Sequence, residues 1–536
     1  MSLRYGFDAI TLRDDRIFGW GWLLSERSPA VRIQLRVRYD DGSESHLRCQ
    51  QSGFRPDLVE VFPDVAHAGG GGFLIQGRLR RPAVQACLQV WFADGGQDEI
   101  AVPGFPERYL PQSIAGRWQG KWALARQLLR RGDLRLLSRR ALAMGQRRWS
   151  GLLRRANGRL SPAQDSGGSV LMFDHAMGGG ANHYRAEKVA QWLAAGQEVV
   201  LVTPHLPTLS YEVARLAVSG ERIARYATLE ECLAALPQPR EIMVNSLVSY
   251  DDPCRVLDWI GARHRPGLPV TFFLHDFHAA CPVWTLVDND GRYCGIPDLD
   301  RCARCLPHND APFLALMPVL DVPAWREKWR KFLLQADSIV AFSQSSVAVL
   351  RKAFPELAEK RIAVQPHRTD YIRPQQVGPR LDLPLVIGVV GAINVYKGAG
   401  IVAEMASIIE RERLPARIVV IGTIDKASPS PALSITGAYR SEALPDLLRR
   451  EGVGICLLPS ICHETFSYVT AELMAYGMPL AVFDLGAPAE RVRTYPLGVI
   501  IPAVNARVAL DTLLNLRTDL LARGLGEGVG SAAGRP

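Results

Sequence analysis

The chain has 536 residues, room for three or four domains at about 150 residues each. Its 48% hydrophobic and 22% charged residues are those of a globular protein, which excludes a disordered chain, a collagen-like repeat and a disulfide scaffold. The net charge of +9 is concentrated: residues 117–159 carry 13 Arg or Lys against the single acid Asp133, and the rest of the chain sums to −3, so this is a near-neutral body with one basic strap and not a general nucleic-acid binder.

No apolar stretch reaches the roughly 18–20 residues that a membrane span needs; the run at 314–320 is broken by Pro318. The first residues, MSLRYGFDAITLRDD, hold no apolar signal core. A cytoplasmic protein is expected, with its ten cysteines mostly reduced or metal-bound.

Residues 1–108 read as β. At 31–39 apolar and polar residues alternate, followed by the turn pair Asp41-Gly42, and 86–92 repeats the signal ahead of Asp94-Gly95-Gly96. A small β-sandwich is expected. Trp20 and Trp22 share a strand face and suit core packing more often than stacking on a sugar ring. Residues 109–167 read as a basic helical linker, with Trp118, Trp122, Ala125 and Leu129 at helical spacing and Arg117, Lys121, Arg126 and Arg130 towards the other side. Such a strap fits an anionic membrane surface or, equally, a solvated hairpin packed on the next domain.

From Ser169 the pattern becomes strand and helix in alternation. Apolar strands are expected at 169–174, 198–203, 241–247, 270–275, 338–343 and 361–365, with a helix from about His183 to Ala195. A second series follows at 385–393, 417–422, 433–436, 454–458, 480–483 and 499–501. Short apolar runs separated by helical stretches are the mark of parallel sheets covered on both faces. The expected class is α/β: two tandem Rossmann-like domains, at 168–378 and 379–523, with a hinge at 374–384 and a disordered tail at 524–536.

The strongest chemical signal is Glu464-Thr-Phe-Ser-Tyr-Val-Thr-Ala-Glu472, between an apolar strand and a helix. The amides of Phe466 and Ser467 fall at a helix N-terminus, a natural anion site suited to a diphosphate. Glu472 is placed to accept from a ribose diol and Glu464 to meet sugar hydroxyls, although two glutamates at one spacing are also ordinary helix and capping acids. Lys397, in the glycine-flanked loop after the first strand of the second series, is placed to offset phosphate charge. Gly179 and Gly180, in the run Met177-Gly-Gly-Gly-Ala181, let backbone approach a ligand closely, without the spacing of a dinucleotide fingerprint. His275-Asp276 ends an apolar strand at the edge where open sheets bind ligands. Cys281, Cys294, Cys302 and Cys305 follow the order C-x12-C-x7-C-x2-C. This suits a structural tetrathiolate zinc site, with free buried thiols or a redox pair as the alternatives.

Together these residues resemble a retaining glycosyltransferase of the GT-B fold, glycosyltransferase family 4. The segment Glu464 to Glu472 after Pro459-Ser460, with Ala475-Tyr-Gly-Met-Pro479 and Asp484-Leu-Gly-Ala487 downstream, resembles that family's donor-site signature. His275-Asp276, Cys281-Pro282 and Tyr293-Cys294-Gly295 resemble a bacterial subgroup that assembles surface polysaccharides such as O-antigen. The resemblance spans about Ser169 to Leu520. It implies that Glu472 holds the nucleotide ribose, and that Glu464, Thr465, Phe466 and Ser467 hold the donor sugar and distal phosphate. Lys397 would neutralise the leaving diphosphate, His275 would contact the sugar and orient the acceptor, and Gly179 and Gly180 would let the first domain close on the phosphates. The substrates implied are a nucleotide-diphosphate sugar and a glycan or polyprenyl-linked acceptor at the inner membrane, with no catalytic metal and no nucleic acid. The arginine that the family usually places a few residues before the lysine is replaced by Ile393-Asn394-Val395, with Arg440 as a substitute. That departure keeps open a carbohydrate-binding scaffold with little activity, and the shared two-domain fold keeps open a nucleotide-sugar 2-epimerase.

Overall fold

A computed structural model describes residues 3–109 and 168–525, apart from 52–54, 66, 81–82, 319–320, 426 and 428. The helical linker expected at 109–167, with its basic side chains, and the tail beyond Leu525 lie outside the described residues.

The N-terminal region is one antiparallel sheet of seven strands. Their spatial order is Arg4–Arg13, Arg16–Leu24, Gly72–Arg78, Glu44–Gln51, Ala30–Tyr39, Ala83–Phe92 and Gln97–Ala101. Alternation works as read: Ile33, Leu35, Val37 and Tyr39 point into a core shared with Phe73, Ile75 and Leu88, while Arg32 and Arg38 point out. The two layers expected of a sandwich are joined here by the pairs Gln50–Leu74 and Gln51–Phe73. Trp22 is buried against Phe62. Trp20 packs, partly buried, in a cluster with Leu209, Phe313 and Leu316 of the next region, so both tryptophans serve packing.

This sheet is bound firmly to the region that follows. The buried Arg16 guanidinium pairs with Asp251. Arg78 Nε donates to the Leu316 carbonyl at 3.0 Å, and Phe313 N donates to Gln76 Oε1 at 2.9 Å.

The second sheet has eight strands. In space they run Gly220–Tyr226, Ser210–Ala217, Val199–His205, Ser169–Phe173, Pro239–Val244, Val270–Phe273, Ser338–Ala341 and Ile362–Val364. The first two form a hairpin at one edge that pairs antiparallel with Val199–His205, and the remaining pairs are parallel. The helix Val322–Gln335 shows how sequence sets the packing. Asp321 caps its start by accepting from Ala324 N at 3.1 Å, and Trp325, Trp329, Phe332 and Leu333 fall on one buried stripe. Trp329→Ala would cost about 3–5 kcal/mol through the cavity it leaves. The helix expected from His183 begins earlier, at Gly179. Gly178 and Gly179 sit at φ +84° and +81°, a turn that glycine makes without strain, and Asn182 Oδ1 accepts from Gly178 N at 2.6 Å.

The third sheet is parallel throughout, in the order Leu433–Ile435, Ala416–Ile424, Leu385–Ile393, Ile455–Leu458, Leu480–Phe483 and Gly498–Ile501. Numbered along the chain this is 3-2-1-4-5-6, a Rossmann-like order whose direction reverses between the strands Leu385–Ile393 and Ile455–Leu458. The second sheet reverses in the same way between Ser169–Phe173 and Pro239–Val244. Open sheets bind ligands outside the carboxyl ends of strands at such reversals, so the fold offers two crevices.

Candidate functional site

At the reversal in the third sheet the two strand ends interlock. Asn394 Oδ1 accepts from Lys397 N at 2.9 Å, turning the chain after Ile393, and Ile461 N donates to the Tyr396 carbonyl at 3.0 Å. Gly398 lies so close to Pro459 that a Cβ would collide with the Pro459 carbonyl oxygen, and its φ of +84° is a left-handed one. The turn therefore presents Lys397 to the loop 459–467. The Lys397 ammonium is paired with the Glu464 carboxylate, which also accepts from the Ser460 hydroxyl. The Glu464 side chain is only 9% exposed and that of Lys397 39%, so the lysine is the partner within reach of a ligand. Burial works against the ammonium, but Glu464 outweighs it and the Lys397 pKa is raised. The lysine is charged at neutral pH.

The helix Tyr468–Ala475 follows, capped by Ser467, whose Oγ accepts from Thr470 N at 3.4 Å. Glu472 is 3% exposed and accepts from the Tyr371 hydroxyl at 3.2 Å, with Tyr439 close by. Burial raises its pKa against the opposing hydrogen bonds of Tyr371 and Ser441. Glu472 thus sits on the helix that follows the Lys397–Glu464 pair, buried beside Tyr371 and Tyr439.

Across the cleft, the strand Val270–Phe273 leads into His275. Its imidazole is stacked on Phe342 at 4.4 Å, and its Nε2 meets Asn245 Oδ1 at 2.9 Å. Burial, with His367 and His175 nearby, holds the His275 pKa well below the usual range, so the ring is neutral. Asp276 accepts from Ser246 Oγ at 2.8 Å and from His278 N at 2.9 Å, and burial pushes its pKa up to about 6.

The two crevices face each other through direct contacts. Thr465 Oγ1 donates to the His275 carbonyl at 2.8 Å. Phe466 lies parallel to His367 at 4.5 Å, and His367 in turn meets the ring of His275 at 5.3 Å. His367 Nδ1 and the Tyr468 hydroxyl are 2.6 Å apart. Gly180 faces the Tyr468 ring, which a Cβ there would meet at 3.4 Å, an ordinary contact; Gly179 has open space around it. Glu490 accepts from Gln344 N and Ser345 N at 3.1 and 2.8 Å, an acid at the positive end of the helix Gln344–Ala353.

Lys397, Glu464, Thr465, Phe466, His275 and Gly180 are thus gathered at one interface, with Ser467 and Glu472 on the adjoining helix. Cys281, Cys294, Cys302 and Cys305 lie elsewhere, around a cavity of their own. Several residues at the interface carry no motif. Asn245 and His367 are brought in by tertiary contact alone. Arg491 is partly buried; its guanidinium lies 5.4 Å from the centre of the Phe466 ring, and its Nη1 donates to the Ser467 carbonyl at 3.3 Å. Among the described residues it pairs with no carboxylate. Arg440, the substitute read from sequence, is instead exposed and faces Glu442 at 3.5 Å.

Residues 384–519 match the family described as Glycosyl transferases group 1. No curated protein matches the sequence. Among solved structures the chain resembles sucrose-phosphate synthase from Thermosynechococcus elongatus, with 16% identity over 67% of this chain and 92% of that one and a TM-score of 0.39. It also resembles Anabaena Alr3699/HepE in complex with UDP, with 12% identity, 67% and 91% coverage and a TM-score of 0.42. A third is the pneumococcal O-GlcNAc transferase GtfA in complex with UDP and GlcNAc, at 9% identity, 59% and 61% coverage and a TM-score of 0.34.

Proposed function

We propose that the chain is a glycosyltransferase that moves a sugar from a nucleotide-diphosphate sugar to a hydroxyl of a glycan or lipid-linked glycan acceptor. The observation that carries this reading is the Lys397–Glu464 pair at the strand reversal of the third sheet, within the segment that matches the glycosyltransferase family. An arriving diphosphate competes with Glu464 for the ammonium, and the freed carboxylate then faces the sugar. The amides at Phe466 and Ser467 and the unpaired guanidinium of Arg491 add positive potential at the same place. Arg491 takes the part that the sequence left without an arginine. Glu472 holds the ribose beside Tyr371 and Tyr439.

In the reaction the bond from the sugar C1 to the diphosphate oxygen breaks and a bond from C1 to the acceptor oxygen forms. The acceptor proton leaves with the diphosphate. Configuration at C1 is retained, with no protein nucleophile assigned. The protein contributes positioning and charge stabilisation of the leaving group, and it needs no metal at the reacting centre. His275, neutral and fixed by Asn245, orients the acceptor side.

The acceptor belongs to bacterial surface polysaccharide assembly, and the basic strap holds the enzyme on an anionic inner-membrane surface. Among the described residues no helix is long and apolar enough to cross a membrane. Incubation with each of the common nucleotide sugars, with and without a polyprenyl-linked glycan, tests the reading. Acceptor-dependent release of one nucleoside diphosphate supports it. Release or isomerisation without acceptor contradicts it in favour of an epimerase.

A further inference from the structure

The segment between His275 and the helix Val322–Gln335 is built around a tight turn and the short helix Leu299–Cys305. In the turn Val287 pairs with Tyr293, and Cys294 N donates to the Leu286 carbonyl at 2.8 Å. Asp288 ties the two pieces together. Its Oδ1 accepts from Asp290 N and Arg292 N at 3.0 Å each, and its Oδ2 accepts from Arg301 Nη2 at 2.8 Å. The result is that Cys281, Cys294, Cys302 and Cys305 all line one cavity, together with apolar side chains such as Leu286 and Leu306 and the Asp288–Arg301 ion pair.

Each of the four sulfurs has an N–H donor directed at it. The Val283 amide serves Cys281 and the Ile296 amide serves Cys294. Arg326 Nη2 donates to Cys302 Sγ at 3.8 Å, and Asn309 Nδ2 to Cys305 Sγ at 3.5 Å. Gly295 and Ile296 run through left-handed backbone, at φ +63° and +56°, a conformation costly for a β-branched residue, and this places the Ile296 amide two residues after its cysteine. A thiol is a weak acceptor, whereas a thiolate draws such donors strongly. Arg326 pairs with no carboxylate among the described residues, so it brings uncompensated positive charge to Cys302.

We propose that Cys281, Cys294, Cys302 and Cys305 bind one zinc ion as a closed tetrathiolate site that locks the segment 277–309 against the loop 459–467. Among the described residues no three His, Cys, Asp or Glu side chains already stand close enough to hold an ion. Binding therefore draws the four sulfurs inward, to about 2.3 Å from the metal, and each thiol releases its proton to solvent. With four sulfurs bound, the metal has no open position for water, and its role is structural. The segment it fixes reaches the donor loop directly. Tyr293, next to Cys294, and Phe277 contact the ring of His463 at 5.7 and 5.1 Å, one residue before Glu464. The site stands whether or not the chain transfers sugar.

Native mass spectrometry and metal analysis of the full chain, purified from zinc-supplemented medium without chelator, test this. One zinc per chain is expected, with Cys281, Cys294 and Cys305, the partly exposed members of the cluster, protected from alkylation until a chelator strips the metal. Cobalt(II) in its place should give strong thiolate-to-metal charge-transfer absorption. Cys302→Ser should lose the zinc and Cys49→Ser should keep it. A bare-chain mass, with Cys281, Cys294 and Cys305 alkylated equally with and without chelator, overturns the proposal. So does a disulfide within the cluster, or zinc that survives Cys302→Ser; the wild-type measurements decide even if that variant fails to fold.

Discussion

The Thr465 hydroxyl donates to the backbone carbonyl of His275 at 2.8 Å, latching the loop that carries Glu464 to a strand end of the other α/β sheet. One hydrogen bond thereby joins the two crevices at the point where donor and acceptor would meet. Thr465→Val keeps the shape and removes the donor, leaving the carbonyl to find water. A loss of about 1 kcal/mol is expected, seen as a lower melting temperature and a raised KM for the nucleotide sugar. A change in melting temperature alone, with KM unmoved, would show that the latch does not position the donor.

Lys397 is the cation paired with Glu464 at the strand reversal, and that carboxylate holds it charged. Lys397→Ala should lower kcat about 100-fold or more, in the range typical for the loss of a charge-stabilising donor. Lys397→Arg should recover part of that. Initial rates at saturating nucleotide sugar measure both.

Arg491 and Arg440 separate two accounts of the phosphate grip. Arg491→Ala should weaken nucleoside-diphosphate binding about tenfold, equivalent to about 1.4 kcal/mol. Arg440→Ala, at an exposed side chain, should leave it unchanged. Calorimetric titration with the cognate diphosphate reads the difference, and the reverse order would move the grip to Arg440.

The buried histidines predict a pH dependence of stability. Burial lowers the pKa of His278 and His367 to about 3 and that of His463 to about 4. The unfolded chain takes up these protons near pH 6.5. Between about pH 6.5 and 4 the unfolded state therefore binds more protons, and stability falls as the pH falls. Asp276, raised to about 6, acts in the opposite sense: its contribution is present below about pH 4 and is lost as the pH rises through 6. Three groups outweigh one. Melting temperatures should drop from pH 7 to pH 4.5, less steeply for His278→Phe and more steeply for Asp276→Asn. A flat profile in the wild type would contradict the burial of these rings.

What was legible in the sequence follows from chemistry that is local. Buried parallel strands must be apolar on both faces, so Leu385–Ile393 and Leu480–Phe483 stand out as continuous runs. Lys397 and Glu464 stand in loops directly after such strands, so their placement at the reversal of the third sheet could be read from position. The hairpin Ser210–Ala217 with Gly220–Tyr226 went unread because it lies at a sheet edge, where Glu212, Arg222 and Arg225 mask the strand signal. His367 and Arg491 went unread for a different cause. Their partners are a ring or a carbonyl distant in the chain, as with His367 and Phe466, and no spacing encodes that. The start of the helix at Gly179 was missed because glycines usually break helices, whereas these two form the turn that begins one.

The most direct test of the central claim is a thermal-shift measurement with UDP, GDP, CDP and ADP on the wild type and on Glu472→Ala. The account predicts that one nucleotide raises the wild-type melting temperature and that the gain disappears in the variant. No shift with any of the four, or an equal shift in both proteins, would contradict a nucleotide-sugar site built on Lys397, Glu464 and Glu472.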